Sequence, residues 1–199
     1  MIPQKLLLDK GGTFRKYKKN QSIFFEGNMP GFYYQIVNGS IKMVSVTESG
    51  KEFIQGIFDS GQSFGVPALL VEKPYPASAV ANEDTLLIKI SKLEFIKILK
   101  DYPKINFQFT KILAKIIYNY SLIAKAISAN KTEGKVLTIL KIHKENCGDQ
   151  GIKNFKIKLS TQQIADMTGL RVETVIRTIK KLENKNELKI EKGKIYMER

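Results

Sequence analysis

A chain of 199 residues is long enough for one large domain or two modest ones, each burying its own core, and two is the starting expectation. Its formal charge of +14, with a pI near 9.7, favours polyanionic partners (nucleic acid, anionic membrane or acidic protein), against the plainer reading of a lysine-rich bias that merely solvates the surface. A single cysteine, Cys147, and a single histidine, His143, exclude a disulfide framework, an iron-sulfur cluster or zinc ribbon, and a histidine-built metal centre.

Up to about residue 90 the sequence alternates short apolar strands with glycine turns: "SIFFEG", "FYYQIVNGSIKMVSV", "KEFIQGIFDSGQSFG" and "TLLIKIS". Strands at this spacing predict a sandwich or barrel-like roll, an antiparallel domain over residues 1–97. Tyr34 and Ile36 alternate on one side of Asn38-Gly39, and Ile41 and Met43 on the other, which predicts a hairpin there.

The period changes near residue 92. Ile105, Phe109, Ile112, Ile116, Tyr120, Ile123 and Ile127 recur at helical spacing, and Leu113, Ile117 and Leu122 widen the stripe. A long helix within residues 98–130 is expected, one side on its own roll and the other on a second copy of itself, against the plainer reading of an ordinary buried helix. No run of about 18 apolar residues and no basic-then-apolar leader occurs, so neither a membrane span nor a secretory signal is expected. The lone thiol suits a reducing cytoplasm.

Residues 131–199 carry 16 Lys+Arg against 9 Asp+Glu, the same excess as the 17 against 10 of residues 1–130 on about half the length. Of four arginines, Arg15, Arg171, Arg177 and Arg199, two lie within seven residues. Asn130 is the expected N-cap of a helix over residues 132–143, with Val136, Ile139, Leu140 and His143 on one face. The loop "ENCGDQG" follows, and "FKIKL" alternates Phe155, Ile157 and Leu159 like a short half-buried strand.

Ser160 and Gln163 have capping-box spacing, and Gly169 is placed to stop that helix in a left-handed turn. A second helix begins almost at once, so the pair predicts a helix-turn-helix. At about 100° per residue, Val172, Val175, Ile179 and Leu182 share the packing face, with Glu173, Arg177, Lys180, Lys181 and Asn184 opposite. Such a face suits the major groove, because a guanidinium can donate bidentately to guanine and a carboxylate can accept from cytosine N4. The plain alternative is an i, i+4 ion pair worth about 0.2–0.5 kcal/mol to an exposed helix. "LKIEKGKIYM" reads as strand, turn, strand, a wing whose Lys192 and Lys194 reach phosphates.

These stretches together resemble the CRP/FNR family of bacterial transcription regulators over nearly the whole chain. "FFEGNMPGFYYQIVNGSIKM" and "GQSFG" are similar to its cyclic-nucleotide-binding β-roll, and residues 105–127 to its dimerisation helix. "STQQIADMTGLRVETVIRTIKKLE" resembles its winged helix-turn-helix. The resemblance implies an α+β fold: an antiparallel β-roll, a long dimer helix, and a winged helix-turn-helix over residues 131–199. It implies a homodimeric, cytoplasmic DNA-binding regulator of a pseudo-palindromic operator, with double-stranded DNA and RNA polymerase as partners and no membrane role. Glu173 and Arg177 match the base-reading positions, beside Arg171 and Val172; Ser160, Thr161, Gln162 and Thr174 match phosphate-holding positions, which Lys180, Lys181, Lys192 and Lys194 extend.

The family's ligand site falls on Gly65, Val66, Pro76, Ala77, Tyr120 and Ser121. Val66 stands where the cyclic-AMP branch has a ribose-binding glutamate and Pro76 where it has the phosphate-binding arginine. No arginine lies between Arg15 and Arg171, so no shift of register restores that contact. Cyclic AMP is therefore not the expected effector, and neither iron-sulfur nor haem is expected as a cofactor; an unknown small molecule, or none, stays open. A metal-dependent roll enzyme lacks its histidines, so no catalytic role is expected. The remaining alternative is a ligand-sensing roll that regulates a protein partner without touching DNA.

Overall fold

The computed structural model describes residues 1–47, 50–129, 131–147 and 154–197, which form two compact units, Met1–Lys115 and Ile116–Arg199. In the first unit the chain runs through α1 (Gln4–Asp9), β1 (Thr13–Tyr17), β2 (Ser22–Phe24), β3 (Phe32–Asn38), β4 (Ser40–Val46), β5 (Glu52–Asp59), β6 (Ser63–Phe64), α2 (Val66–Val71), β7 (Ser78–Ala81), β8 (Thr85–Ser91) and α3 (Lys92–Asp101). A 26-residue helix, α4 (Pro103–Ser128), contains the division between the units. The second holds α5 (Thr132–Asn146), β9 (Phe155–Lys156), α6 (Thr161–Thr168), α7 (Val172–Asn184), β10 (Lys189–Glu191) and β11 (Lys194–Met197).

Two four-stranded antiparallel sheets make the roll, in the orders β1-β8-β3-β6 and β2-β7-β4-β5. Phe24, Tyr34, Ile36, Ile41, Met43, Phe64, Ala79 and Leu87 form the core between them. Because side chains alternate across a strand, the intervening residues Tyr33, Ile88 and Ile90 point the other way and meet Leu7, Leu69, Phe95, Ile98 and Phe109 from the helices. The roll's first sheet is thus apolar on both faces, which is why β3 and β8 read as nearly continuous apolar runs.

The Asn38-Gly39 turn is a corner and not the expected hairpin: β3 pairs with β8 and β6, whereas β4 pairs with β5 and β7. Gly39 has φ +93°, and a Cβ there would stand 2.7 Å from the Asp84 carbonyl oxygen and 2.8 Å from Thr85 Cα. The glycine lets the chain cross tightly over the β7–β8 connection into the other sheet.

The helical region from residue 92 is broken at Tyr102. Ser91 caps α3, its hydroxyl accepting from Glu94 N at 3.3 Å, and Pro103 occupies the first position of α4, where a missing N–H costs nothing. Phe109, expected on the dimer seam, is instead core: its ring lies 5.5 Å from Phe95 and 5.8 Å from Tyr33. Ile112, Ile116 and Ile123 are half-buried along the same arc, while Tyr120 and Ile127 are exposed.

In the second unit α5, α6 and α7 pack together around Val136, Ile139, Leu140, Ile164, Ala165, Val175, Ile179 and Leu182. Lys131 stands at the cap position of α5 without a side-chain cap bond; Asn130, the cap expected from the sequence, and residues 148–151 of the "ENCGDQG" loop lie outside the described residues. His143 is buried on α5, with Nε2 3.7 Å from Cys147 Sγ.

Candidate nucleic-acid interface

Helix α6 starts at a complete capping box. Ser160 Oγ accepts from Gln163 N at 3.1 Å, and Gln163 Oε1 accepts from Ser160 N at 2.9 Å, satisfying two otherwise orphaned donors. It ends at Gly169 in the left-handed region, φ +69°, so α7 can begin three residues later. Val175, Thr178, Ile179 and Leu182 anchor α7 and Val172 is half-buried, while Glu173, Arg177, Lys180, Lys181 and Asn184 are exposed. Thr178 tolerates burial because its hydroxyl donates to Thr174 O at 2.7 Å.

Arg171, at the N-cap of α7, Glu173 and Arg177 are all exposed, and among the described residues none forms an ion pair. The local i, i+4 pair is therefore not formed, and both side chains keep their hydrogen-bonding capacity for an outside partner. At the start of α6, Ser160 and Thr161 are exposed; Gln162 donates to Asp166 Oδ1 at 2.8 Å.

Behind α7 the wing is a two-residue hairpin, with Glu191 opposite Lys194 and Lys192 and Gly193 both at positive φ (48° and 72°), the backbone of a primed turn. Glu183 ties it to α7, accepting from Ile190 N at 2.8 Å. β9 adds a third strand, pairing Lys156 with Tyr196, and Ile157 N donates to Ile195 O at 2.9 Å beyond it. Ile157 and Leu159 are buried as the alternation predicts.

A cleft of about 700 Å³ lies between wing and helix, floored by Ile157, Ile179 and Ile195 and edged by Ser160, Thr161, Lys156, Lys158, Lys180 and Lys194. Lys194 lies close enough to push the Lys156 ammonium below its ordinary pKa, with a further contribution from Lys158. Lys156 and Lys158 were missed in the sequence although the signal was there: they are the polar half of the alternation in "FKIKL". The cleft's lining holds four lysines and, among the described residues, no acid, so its local potential is positive.

The residues at the roll's expected ligand site are differently disposed. Gly65 precedes α2 at φ +71°; a Cβ there would meet Tyr75 at 3.0 Å and Phe24 at 3.1 Å. Phe24 stacks on Tyr75 with centroids 3.6 Å apart, and Tyr34 and Phe64 close on Phe24 at 5.8 and 5.9 Å. Burial pushes the Tyr34 phenol up to about 12, with Tyr17 adding to the shift, and raises that of Tyr75 as well. Val66 is buried in the cluster on the helical side of the sheet, Ala77 in the cluster between the sheets. Pro76 is exposed, its carbonyl accepting from Gln55 Nε2 at 3.2 Å. Tyr120 and Ser121 are exposed on α4, Ser121 donating to Ile117 O at 3.1 Å.

A roll of this design together with a capped, winged helix-turn-helix defines a two-unit chain of the DNA-binding regulator type. Residues 14–102 match the cyclic nucleotide-binding domain family, and residues 135–198 the Crp-like helix-turn-helix domain family. The chain is 24% identical over 182 residues to the cyclic AMP receptor protein of Thermus thermophilus, covering 91% of this chain and 82% of that one. To the global nitrogen regulator of Nostoc sp. it is 26% identical over 188 residues, covering 90% and 82%. The solved structure of the c-di-GMP responsive global regulator CLP of Xanthomonas campestris shares the fold, with a TM-score of 0.74 at 18% identity over 97% of this chain and 98% of that one.

The chain belongs to the CRP/FNR family and is a DNA-binding transcription regulator. Its relatives are named as transcriptional activators and global regulators. Their names cite different signals, so membership fixes the kind of reader and not the effector. No helix among the described residues is long and apolar enough to cross a membrane.

Proposed function

We propose that this regulator acts as a homodimer whose two α7 helices read successive major grooves of a pseudo-palindromic operator, and that it does so without cyclic AMP. The observation carrying the first half is the exposed, mutually unpaired Glu173 and Arg177 beside a lysine-edged cleft. Arg177 donates to guanine and Glu173 accepts from cytosine, with Arg171 and Val172 at the margin of the base-reading surface. Ser160, Thr161, Gln162, Thr174, Lys180, Lys181, Lys192 and Lys194 hold the backbone, and Lys156 and Lys158 join them.

Dimerisation is supported by α4. Leu113, Ile117, Tyr120, Ala124 and Ile127 follow one another at steps of four, three, four and three, a heptad seam without a charged residue, and Ile117 is 67% exposed. A twofold pair of readers suits half-sites one turn of B-DNA, about 34 Å, apart. Independence from cyclic AMP is supported by the ring stack at Gly65 and by apolar residues where a ribose and a cyclic phosphate need partners. Selecting bound duplexes from random DNA without added ligand tests all three elements. The expected product is a palindromic consensus; no salt-dependent duplex binding at low ionic strength would instead favour a regulator of a protein partner.

A further inference from the structure

The roll carries a second polar feature, away from the stacked rings and outside the winged helix. At the β1 end of the first sheet, Arg15 lies opposite Leu87, and Lys89 opposite both Thr13 and Tyr34. Partners across a ladder share a face, and Tyr34 and Leu87 belong to the core between the sheets. Two cations therefore stand on the sheet's inner face at its open end. They line a basin of about 330 Å³ with Lys10, Thr13, Phe32 and Ser91, at the small end of the range for small-molecule sites.

Among the described residues neither Arg15 nor Lys89 has an acidic partner. Lys89 Nζ rests 3.5 Å from the Phe32 ring centroid, and that contact is its only compensation. The acids nearby are engaged: Glu94, on the basin's rim, pairs with Lys97 at 2.7 Å, and Asp101 with Lys10 at 3.9 Å. Burial, then the charge of Arg15, lowers the Lys89 pKa. An anion between the two would relieve both.

We propose that this basin binds the phosphate group of a small phosphate monoester. Arg15 offers a planar fork, and Lys89 and Lys10 act as point charges. Ser91 Oγ already accepts from Glu94 N, which leaves its O–H, like that of Thr13, to donate. Three cations and two hydroxyls lining one basin suit the three terminal oxygens of a phosphate ester better than the two of a carboxylate, Arg15 Nη1 having only a long 3.5 Å bond to the Phe14 carbonyl to give up. The exposed Phe32 ring supplies an apolar wall for the esterified group. None of Gly65, Val66, Pro76 or Ala77 lines the basin, so the site is separate from the family's ligand position.

The test is equilibrium titration of the full chain with inorganic phosphate and with phenyl phosphate at constant ionic strength, read by calorimetry. One saturable equivalent per chain is expected, tighter for phenyl phosphate. Arg15→Gln and Lys89→Gln should each weaken it about tenfold or more, as loss of one charge-assisted hydrogen bond does. A Lys156→Gln, Lys158→Gln, Lys194→Gln triple variant should leave it intact. In the unaltered chain, phosphate should slow amine acylation at Lys89, read by peptide mass spectrometry, more than chloride does, a measurement that needs no variant to fold. Equal affinity for the two probes would identify inorganic phosphate as the occupant and overturn the ester. Absence of saturable binding, unchanged affinity in both single variants, or loss in the triple variant overturns the site.

Discussion

Replacing Phe24 by Ala tests whether the space at Gly65 is packed protein or a vacant ligand pocket. Phe24 is buried, lies flat on Tyr75 at 3.6 Å and 9°, and is within 6 Å of two further rings. Deleting such a ring costs about 3–5 kcal/mol, the upper end applying where the surroundings cannot collapse. The neighbours here are stiff aromatic rings held on β3, on β6 and in the loop before β7, so the loss should lie in the upper half of that range. Of this, about 0.5–1.5 kcal/mol belongs to the ring pair itself and should appear as coupling in a double-mutant cycle with Tyr75→Leu. Because the chain has two units, a global melt is a poor readout; amide hydrogen exchange resolved on β2, β3 and β7 reports the roll alone. The resulting cavity is apolar and should bind benzene, recovering part of the loss. Cyclic AMP should stabilise neither protein, although a ligand at a hundred times its Kd would add about 2.7 kcal/mol. A loss under about 1 kcal/mol, or protection of the unaltered roll by cyclic AMP, would refute the packing argument and return the pocket to nucleotide binding.

Arg177→Ala should remove about 1–3 kcal/mol of discrimination at one base pair per half-site, visible as a flattened column in selection from random duplexes. Lys156→Gln with Lys158→Gln should weaken all duplexes alike and reduce the slope of log affinity against log salt by about two. If α4 forms the proposed dimer seam, the unaltered chain should sediment as a dimer and Ile117→Glu as a monomer without unfolding either unit, because that side chain is exposed within one chain. At Asp84 a hydrogen bond from Lys18 Nζ at 2.8 Å, then one from Lys19 N at 3.0 Å, hold the carboxyl below the usual carboxylate range. Its stabilising contribution is complete above the ordinary aspartate pKa and is lost as pH falls through the depressed one, so Asp84→Asn should flatten the acid limb of the roll's stability profile.

The second unit was legible in the sequence because its signals are local. Ser160, Gln163 and Gly169 specify a helix start and stop within ten residues, and the burial of Val175, Ile179 and Leu182 follows from a 3.6-residue period. The roll was legible in class but not in connection. Asn38-Gly39 states that the chain turns with positive φ, and the same dihedral serves a hairpin or a corner; which one forms depends on β8 and β5, some fifty and fifteen residues away. α4 failed for another reason. Its apolar arc is wide enough for two neighbours, and periodicity gives an angle without saying which edge meets the chain's own core. Phe109 is assigned by contact with Tyr33 and Phe95, which no spacing reveals.

The two units also differ in how their polar positions are used. On α7 an acid and an arginine four residues apart forgo each other, although pairing on an exposed helix is worth about 0.2–0.5 kcal/mol and asks for no partner. Inside the roll, Val66 and Pro76 stand at the positions that the family resemblance assigns to ribose and phosphate partners, and the space beside Gly65 is taken by rings in contact. Filling that space with side chains stabilises the roll by burial that a ligand would otherwise have to supply. If the ring stack does make the roll's order independent of nucleotide, as proposed above, control of the reader enters elsewhere, and Arg15 and Lys89, which line one basin and have no acidic partner among the described residues, are a candidate entry point.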